Sequence, residues 1–282
     1  EVPAVIFDVQ RVGPSTGLPT RTAQGDILMT AFLSHGDTRH LMLFPSSAEE
    51  CYSMAIEAFD LAERFQTPIF VMSDLDLGMN TWMSETLDYP TKPLDRGKVL
   101  DAESLERIGK FGRYRDVDGD GVPYRSLPGD GMPPYFCRGS GHNEWAQYSE
   151  RPDDYQKNLD RVARKFETAR DWMPAPVVEI NAKASIGIVA YGTTHWALIE
   201  SRDQLLSEAE IETSYYRICA YPFRDALASF VKRHERVYVV EQNRDAQMLS
   251  LMKLDLPAKL TLRLRSVLHY SGNPIDARSV TD

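Results

Sequence analysis

Short apolar runs and amphipathic stretches alternate along most of the chain, and their periods predict its secondary structure. Runs rich in β-branched and aromatic residues predict strands at residues 5–9, 68–72, 186–192, 211–218, 237–241 and 260–264, with a further short apolar run at 41–44. Apolar residues at helical spacing predict helices at residues 26–34, 47–66, 152–172, 193–207, 223–233 and 245–254. Because strands that alternate with helices are typical of a parallel sheet, the pattern predicts an α/β fold.

The helix predicted at residues 47–66 has the clearest local signals. Ser47 precedes Glu50 by three residues, which predicts a capping box in which each side chain bonds the backbone N–H of the other residue. The residues expected to share the buried face of this helix are Met54, Ala55, Ala58, Phe59 and Ala62.

The alternation stops between residues 79 and 150, where proline, glycine, aspartate and aromatic residues are frequent. A connection of this length usually has a function of its own. The alternation resumes after a helix and a short proline-containing linker that ends at residue 176. We therefore predict two domains: residues 1–176, which include the excursion at 79–150, and residues 177–282.

The loop at residues 11–26 is the strongest functional signal. Arg11 and Gly13-Pro14-Ser15-Thr16-Gly17 follow the first predicted strand, so the loop lies where ligands bind in open α/β sheets. The planar guanidinium group of Arg11 matches the two oxygens of a carboxylate and could bind it through two parallel hydrogen bonds. A structural turn that carries a surface arginine is the alternative interpretation.

Composition narrows the classes of function. Of the 282 residues, 43% are hydrophobic and 26% are charged, as in ordinary globular proteins. The formal net charge of −9 argues against nucleic acid as a partner, because phosphates attract a basic surface. No apolar run reaches the length that crosses a membrane. Cys51, Cys137 and Cys219 lie far apart in the sequence, so we predict free thiols and no metal or iron–sulfur site in this chain.

The loop also resembles a loop in the alpha subunits of 2-oxoacid:ferredoxin oxidoreductases, above all those of the 2-oxoglutarate branch. The matching residues are Arg11, Gly13 to Gly17, Pro19, Thr20, Gln24 and Asp26, whereas Val12 replaces the glycine that is usual there. Further motifs of the family are matched in the same order by Ser73-Asp74 with Leu77-Gly78, by residues 139–144 and by Glu241-Gln242-Asn243. The family's cofactor-activating glutamate has no counterpart, so the chain is expected to lack the N-terminal part of the subunit.

This resemblance implies a fold, a reaction and partners. The first domain is expected to be the C-terminal portion of a parallel-sheet domain that binds the pyrimidine ring of thiamine diphosphate, and the second a transketolase C-terminal-like α/β domain. The implied reaction is the reversible, coenzyme A-dependent oxidative decarboxylation of 2-oxoglutarate to succinyl-CoA with reduction of ferredoxin. The chain would be active only beside a beta subunit that contributes most contacts to thiamine diphosphate and Mg and carries a 4Fe–4S cluster, in a cytoplasmic (αβ)2 assembly.

The same resemblance assigns roles within the loop. Arg11 would bind the carboxylate of the 2-oxoacid, Ser15 and Thr16 would also lie at the substrate, and Gly13 and Pro14 would lie near thiamine diphosphate. His142 and Asn143 are further candidates for the substrate site. A histidine that bonds loop carbonyls is the alternative for His142. No complete catalytic set is found in this chain.

Other polar motifs have both a chemical and a structural interpretation. Residues 116–121 imitate the start of a calcium loop, but Leu127 stands at the twelfth position, where such a loop needs a bidentate glutamate, so we interpret them as a surface turn. Gly192-Thr193-Thr194 predicts either a phosphate site at a helix N-terminus or an ordinary helix cap. Glu241 is either catalytic or a charge bonded across a domain or subunit interface. Arg125 and Arg138 are weaker candidates for substrate contact.

Two alternative functions remain open on the sequence alone. The first is the same chemistry on pyruvate or a branched-chain 2-oxoacid. The second is a non-catalytic assembly subunit that keeps the fold. An iron–sulfur chromophore in the purified complex would favour the enzyme.

Overall fold

A computed structural model describes residues 1–130, 135 and 137–282 of the chain. The strands are β1 (Ala4–Gln10), β2 (Leu41–Leu43), β3 (Pro68–Asp74), β4 (Val177–Glu179), β5 (Ile186–Tyr191), β6 (Thr213–Ile218), β7 (Ala220–Tyr221), β8 (Arg236–Glu241) and β9 (Leu264–Leu268). The helices are α1 (Ile27–Ala31), α2 (Ala48–Phe65), α3 (Leu75–Met79), α4 (Ala102–Ile108), α5 (Pro152–Ala169), α6 (Thr194–Ala209), α7 (Ala226–Arg233), α8 (Gln247–Asp255), α9 (Ala258–Thr261) and α10 (Arg278–Thr281). The α/β class is confirmed.

The strands form two mainly parallel sheets. In the first sheet the order is β1-β3-β2-β7, with β1, β3 and β2 parallel and β7 antiparallel to β2. In the second the order is β4-β6-β5-β8-β9, with β4 antiparallel to β6 and the remaining pairs parallel. The predicted domain boundary at residue 176 stays a prediction, and β7, which follows it in the chain, hydrogen-bonds to the first sheet.

Most long elements lie where the periodicity predicts them, but the last predicted strand is wrong. Residues 258–261 form the short helix α9, which Pro257 precedes, and the strand β9 begins only at Leu264. Proline fixes a backbone φ that suits the start of a helix, which explains why the apolar run is not extended there. The periodicity does not predict strands β4 and β7, because two or three residues are too few to show a period.

The N-terminus of α2 confirms half of the predicted capping box. The Ser47 hydroxyl accepts a hydrogen bond from the backbone N–H of Glu50 at 3.2 Å. The Glu50 carboxylate, however, accepts from the backbone N–H of Ser46 at 2.8 Å rather than from that of Ser47, and it pairs with Arg217 of β6 at 2.6 Å. Burial opposes ionisation of Glu50, but the hydrogen bonds from Arg217 and Ser46 hold its pKa below the ordinary value.

The buried face of α2 is also shifted from the prediction. Its buried residues are Met54, Ala58, Leu61, Ala62 and Phe65, whereas 53% of the Phe59 surface is exposed. Leu61 and Phe65 continue the helical stripe from Met54 and Ala58, so the stripe turns away from Phe59.

One hydrophobic core joins the two sheets. Phe44, which follows β2, is fully buried, and its ring packs edge-to-face on Tyr191 of β5 at a centroid distance of 5.4 Å. The backbone N–H of Phe44 donates to the carbonyl oxygen of Cys219, next to β7, at 2.8 Å. The end of the first sheet is therefore fixed against the second one by both packing and a backbone hydrogen bond.

The excursion at 79–150 contains one helix, α4, among its described residues, and residues 131–134 and 136 lie outside the described part. Contacts with α2 fix the position of the excursion. Arg125, a weaker candidate for substrate contact, is 7% exposed and pairs with Glu63 of α2. This ion pair assigns Arg125 to the packing of the excursion on α2.

In the described part of the chain, each helix is too short or too polar to cross a membrane.

Phe44 provides a test of the joint between the sheets. Phe44→Ala removes a fully buried ring and should lower the free energy of unfolding by about 3–5 kcal/mol, as large-to-small core substitutions do. Phe59→Ala is the matched control, because this ring is half exposed and its loss should cost about 0.5 kcal/mol. Urea unfolding of both variants measures the difference. Equal costs would contradict the assignment of Phe44 to the shared core.

Candidate functional site

The loop at residues 11–26 leaves the first sheet at the carboxyl end of β1. Its tip, residues 13–17, is closed by backbone hydrogen bonds between the two segments that flank it. The N–H of Leu18 donates to the carbonyl oxygen of Val12 at 3.3 Å, and the N–H of Val12 donates to that of Arg21 at 2.9 Å. Ser15 has a φ of 59° in the left-handed region, so the tip turns sharply there. The tip is thus a defined turn that projects from the sheet.

The predicted substrate and cofactor residues of this loop are all exposed. Solvent reaches each of these residues, which are Arg11, Gly13, Pro14, Ser15 and Thr16. Within the residues that the structure describes, the Arg11 guanidinium group makes no ion pair and no hydrogen bond. A rigid backbone therefore presents a cation and two hydroxyl groups to solvent at a strand end.

A buried amide fixes the C-terminal half of the loop to the second sheet. Gln24 is 1% exposed, and its Nε2 donates to the carbonyl oxygen of Tyr191 at 3.1 Å. Its Oε1 accepts from the Thr194 hydroxyl at 3.2 Å and from the backbone N–H of Gln242 at 2.9 Å. Its backbone N–H donates to Gln242 at 2.7 Å, and its carbonyl oxygen accepts from Asn243 Nδ2 at 2.9 Å. Both the side chain and the backbone of Gln24 are therefore bonded across the two sheets.

Asp74 lies at the carboxyl end of β3, opposite Gln10 of β1, and joins the same network. One carboxylate oxygen accepts from the Thr193 hydroxyl at 2.6 Å, and the other from the backbone N–H of Leu77 at 3.1 Å. Burial raises the pKa of Asp74 to about 6, since the hydrogen bonds compensate only part of the lost hydration. The motif Ser73-Asp74 therefore serves to cap α3 and to bind the second sheet.

The motif Gly192-Thr193-Thr194 lies inside this network rather than at an open anion site. Neither hydroxyl caps α6, because Thr193 donates to Asp74 and Thr194 to Gln24. Gly192 has a φ of +56°, and a Cβ atom there would come within 3.1 Å of Gln24 Nε2. Thr193 occupies the N-cap position of α6, but the predicted ordinary cap is wrong for the hydroxyl groups. The phosphate site stays a prediction, and both hydroxyl groups already donate to residues of the chain. The glycine makes room for the Gln24 amide.

Glu241 is fully buried and its bonds stay within the second half of the chain. Its carboxylate accepts from the backbone N–H groups of Met248 and Leu249 at 2.7 and 3.0 Å, and from Asn243 Nδ2 at 2.8 Å. The carboxylate thus satisfies the first turn of α8, and burial raises its pKa. The expected bond across an interface is wrong for Glu241 itself and is made by Gln242 and Asn243.

Two more carboxyl groups lie beneath the loop. Burial and the neighbouring charge of Asp26 raise the pKa of Asp8, on β1, to about 6, and burial also raises that of Asp26. One buried Asp8 oxygen has no hydrogen-bond partner among the described residues. Both shifts have burial as their largest cause, which shows that these carboxyl groups are partly withdrawn from solvent at the base of the loop.

His142 and Asn143 belong to a different cleft, of about 410 Å³, between the excursion and α5. The His142 ring stacks on Tyr114 at a centroid distance of 3.8 Å, and Asn158 of α5 donates to the His142 carbonyl oxygen at 2.9 Å. Burial lowers the pKa of His142. Asn143 accepts from the backbone N–H of Trp145 at 3.0 Å, which stabilises a turn. None of the hydrogen bonds described for either residue reaches the loop at Arg11.

Sequence reasoning missed two residues that position the loop but do not belong to the matched motif. Gln10, 2% exposed on β1, accepts from the backbone N–H of Asp26 at 3.4 Å, and Thr22 accepts from that of Asp76 at 3.0 Å. Gln10 directly follows the strand predicted at residues 5–9, and an amide side chain at the end of a strand is the signal that could have identified it. Arg138, the other weaker candidate, donates from Nε to the carbonyl oxygen of Ala146 at 2.9 Å.

The raised pKa of Asp74 predicts a pH dependence of stability. The folded chain holds the proton up to about pH 6, whereas an unperturbed aspartate loses it near 3.8. Between these values the folded state binds more protons, so the free energy of unfolding falls as the pH rises. Asparagine cannot ionise, so Asp74→Asn should gain up to about 3 kcal/mol relative to wild type between about pH 4 and about pH 7. Urea unfolding midpoints at both pH values measure this gain, and parallel profiles would contradict it.

Known proteins resemble the chain over its whole length. Residues 1–106 match the family described as "Pyruvate flavodoxin/ferredoxin oxidoreductase, thiamine diP-bdg". The alpha subunit of 2-oxoacid:ferredoxin oxidoreductase 2 from Aeropyrum pernix is 30% identical over 98% of this chain and 42% of its own length. The 2-oxoglutarate synthase subunit KorA from Archaeoglobus fulgidus is 30% identical over 86% of this chain and 61% of its own length. This chain thus spans between two fifths and two thirds of these relatives.

A solved structure shows the same fold. It is a 2-oxoglutarate:ferredoxin oxidoreductase from Magnetococcus marinus with 2-oxoglutarate, coenzyme A and succinyl-CoA bound, and it superposes with a TM-score of 0.86 at 24% identity over 99% of this chain and 47% of that one. Residues 1–106 thus match the thiamine-diphosphate-binding region of this enzyme family, and nearly the whole chain is similar in sequence to 2-oxoacid:ferredoxin oxidoreductase alpha subunits.

Proposed function

We propose that the chain is the substrate-facing part of the alpha subunit of a 2-oxoglutarate:ferredoxin oxidoreductase. The enzyme converts 2-oxoglutarate, coenzyme A and oxidised ferredoxin into succinyl-CoA, carbon dioxide and reduced ferredoxin, and the reaction is reversible. The similarity to 2-oxoglutarate synthase subunits supports this choice of substrate.

The observation that carries the proposal is the guanidinium group of Arg11 on an anchored loop, with no partner among the described residues. An exposed arginine on a mobile loop would lose conformational entropy on binding an anion. Here the backbone on both sides of the tip is already fixed, by Val12 and Arg21 below it and by Gln24 beyond it. The loop therefore provides a preorganised site for a carboxylate.

The residues of the loop have separate tasks in this proposal. Arg11 binds the carboxylate next to the keto group through two N–H donors, which orients the bond that breaks. The hydroxyl groups of Ser15 and Thr16 bond the remaining oxygens of the substrate. Because the carboxylate leaves as neutral carbon dioxide, attraction to Arg11 is stronger in the bound substrate than in the transition state. Arg11 therefore serves binding and orientation more than the chemical step.

The described residues fit one side of thiamine diphosphate and not its diphosphate end. Gly13 and Pro14 are exposed at the strand end, where a ring can approach the loop. Among the described residues, no group of three acidic, histidine or cysteine side chains is arranged to hold a metal ion. We therefore assign the diphosphate and Mg mainly to the beta subunit. When bound, thiamine diphosphate supplies the carbon nucleophile for the keto carbon and takes up the electrons that decarboxylation releases.

The surface around the loop suits a protein partner. Phe7 and Val9 on the edge strand β1 are 51% and 47% exposed, and Leu18 on the loop is 44% exposed. Exposed apolar residues at the edge of a sheet mark a contact with further protein. We propose that the beta subunit, with its 4Fe–4S cluster, faces the loop and the excursion at 79–150 in a cytoplasmic (αβ)2 assembly that reduces ferredoxin.

A homologue that acts on pyruvate or a branched-chain 2-oxoacid remains the second candidate, because Arg11 binds the part that all 2-oxoacids share. The distal carboxylate of 2-oxoglutarate distinguishes the substrates. The ratio of kcat/KM for 2-oxoglutarate and pyruvate decides between them.

A reconstitution experiment tests the proposed activity. The chain alone, with 2-oxoglutarate, coenzyme A, thiamine diphosphate and Mg, should not reduce ferredoxin, whereas the complex with its cognate beta subunit should. The mass of the native complex gives the stoichiometry. Ferredoxin reduction by the chain alone would refute the shared site, and a colourless complex without turnover would favour a non-catalytic assembly subunit.

Arg11 is tested by kinetics of the complex. Arg11→Lys keeps the charge but loses the bidentate geometry, so KM for the 2-oxoacid should rise about tenfold with a smaller fall in kcat, equivalent to about 1–2 kcal/mol. Arg11→Ala should lower kcat/KM further. Arg278→Ala is the matched control, since this arginine is also exposed but pairs with Glu208 at the C-terminal end of α6, whereas the loop contacts the N-terminal end of that helix. Unchanged kinetics for Arg11→Ala would remove it from the site.

A further inference from the structure

The segment at residues 116–121 repeats the first half of a calcium loop in both sequence and geometry. In such loops, carboxylates at positions 1, 3 and 5 and a backbone carbonyl at position 7 point at one ion, with glycine at position 6. Here these positions are Asp116, Asp118, Asp120, Gly121 and Val122. Gly121 has a φ of +81°, as the sharp turn at that position requires.

A positive charge from elsewhere in the chain occupies the centre of this loop. The ammonium nitrogen of Lys98 lies 2.7 Å from an oxygen of Asp118 and 2.7 and 2.8 Å from the two oxygens of Asp120. It also donates to the carbonyl oxygen of Val122 at 3.0 Å. Lys98 thus contacts the groups at positions 3, 5 and 7, which are three of the sites that bind the ion in a calcium loop.

The electrostatics agree with a bound cation. Burial alone would lower the pKa of Lys98, but the two aspartates raise it above its ordinary value. The hydrogen bond from Lys98 lowers the pKa of Asp118. The Lys98 side chain is 18% exposed. The lysine therefore stays charged at neutral pH.

The remaining carboxylate of the loop is bonded elsewhere. One oxygen of Asp116 accepts from the backbone N–H of Gly121 at 3.0 Å and pairs with Arg164 of α5 at 3.3 Å. The other is buried and has no hydrogen-bond partner within the described part of the chain. The three donors of the ammonium group are directed at positions 3, 5 and 7, so this oxygen at position 1 is left without a donor.

The loop and Lys98 connect two helices. The Asp120 carbonyl oxygen accepts from the Thr168 hydroxyl of α5 at 2.8 Å, and a Cβ atom on Gly121 would come within 2.3 Å of the Lys165 backbone nitrogen. On the other side, a Cβ atom on Gly97 would come within 2.7 Å of Arg64 on α2. Lys98 therefore sits between a segment that packs on α2 and a loop that packs on α5.

We propose that Lys98 is a built-in cation that takes the place of a divalent ion in this loop and so fastens the excursion at 79–150 to α2 and α5. The loop needs a positive charge to hold its carboxylates together, and the chain supplies that charge itself. Without the ammonium group, the loop becomes dependent on a cation from solution.

The test replaces Lys98 in the full chain. Lys98→Met keeps the length of the side chain and removes the charge, so two partly exposed aspartates lose their partner and the thermal unfolding midpoint should fall by about 2–5 °C. Calcium at about 10 mM exceeds the dissociation constants of weak natural loops, so it should restore much of this loss in Lys98→Met and leave wild type unchanged. Mg should restore less, because it demands a stricter geometry.

A second variant separates a cation site from an ordinary salt bridge. Lys98→Met combined with Asp118→Asn and Asp120→Asn removes both the cation and its ligands, so calcium should have no effect on its unfolding midpoint. If Lys98→Met is insoluble without calcium, its soluble yield with and without the ion replaces the midpoint as the measurement. A midpoint equal to that of wild type, or a loss that calcium does not reverse, would overturn the proposal.

Discussion

The candidate site depends on one buried amide. The Nε2 and Oε1 atoms of Gln24 and its backbone N–H and carbonyl groups all make hydrogen bonds. Every partner lies in the second sheet or in the segments that directly follow its strands. An unpaired polar group at this depth would cost about 1–3 kcal/mol, so the network is stable only when it is complete. These buried bonds hold in place the exposed loop that contains both Arg11 and the tip at residues 13–17. The fixed conformation of the exposed loop therefore originates in buried contacts with the second sheet.

The motifs that stand out in the sequence divide into two groups in the structure. Asp74, Thr193, Gln242 and Asn243 lie in the interior around Gln24, and their polar groups bond one another or that amide. Arg11, Ser15 and Thr16 lie outside, exposed to solvent. A matched motif therefore marks either an exposed group on the loop or a buried group that holds the loop in place. Burial and hydrogen-bond partners distinguish the two, and the sequence contains neither.

The long strands and helices could be predicted because a buried stripe of several turns or alternations leaves a period in the sequence. Phe59 shows the limit of this signal, since apolar residues on an exposed helix face add to the same pattern. Local chemistry predicted Ser47 as a cap, but the partner of Glu50 is Arg217, which lies 167 residues away in the sequence. The contact of the Lys98 ammonium group with Asp118 and Asp120 could not be predicted for the same reason. Like the pairing of Glu50 with Arg217, it depends on tertiary structure.

Strand β7 has a consequence for how this protein can be divided. Its two residues pair with β2 on the side away from β3, although they follow the whole first half of the chain and three strands of the second sheet. A fragment that ends between the sheets would leave β2 with unpaired backbone groups and would expose Phe44, which now packs on Tyr191. Such a fragment would tend to pair with its own copies. Because of these contacts, we expect the two sheets to be stable only when both are present in the same chain.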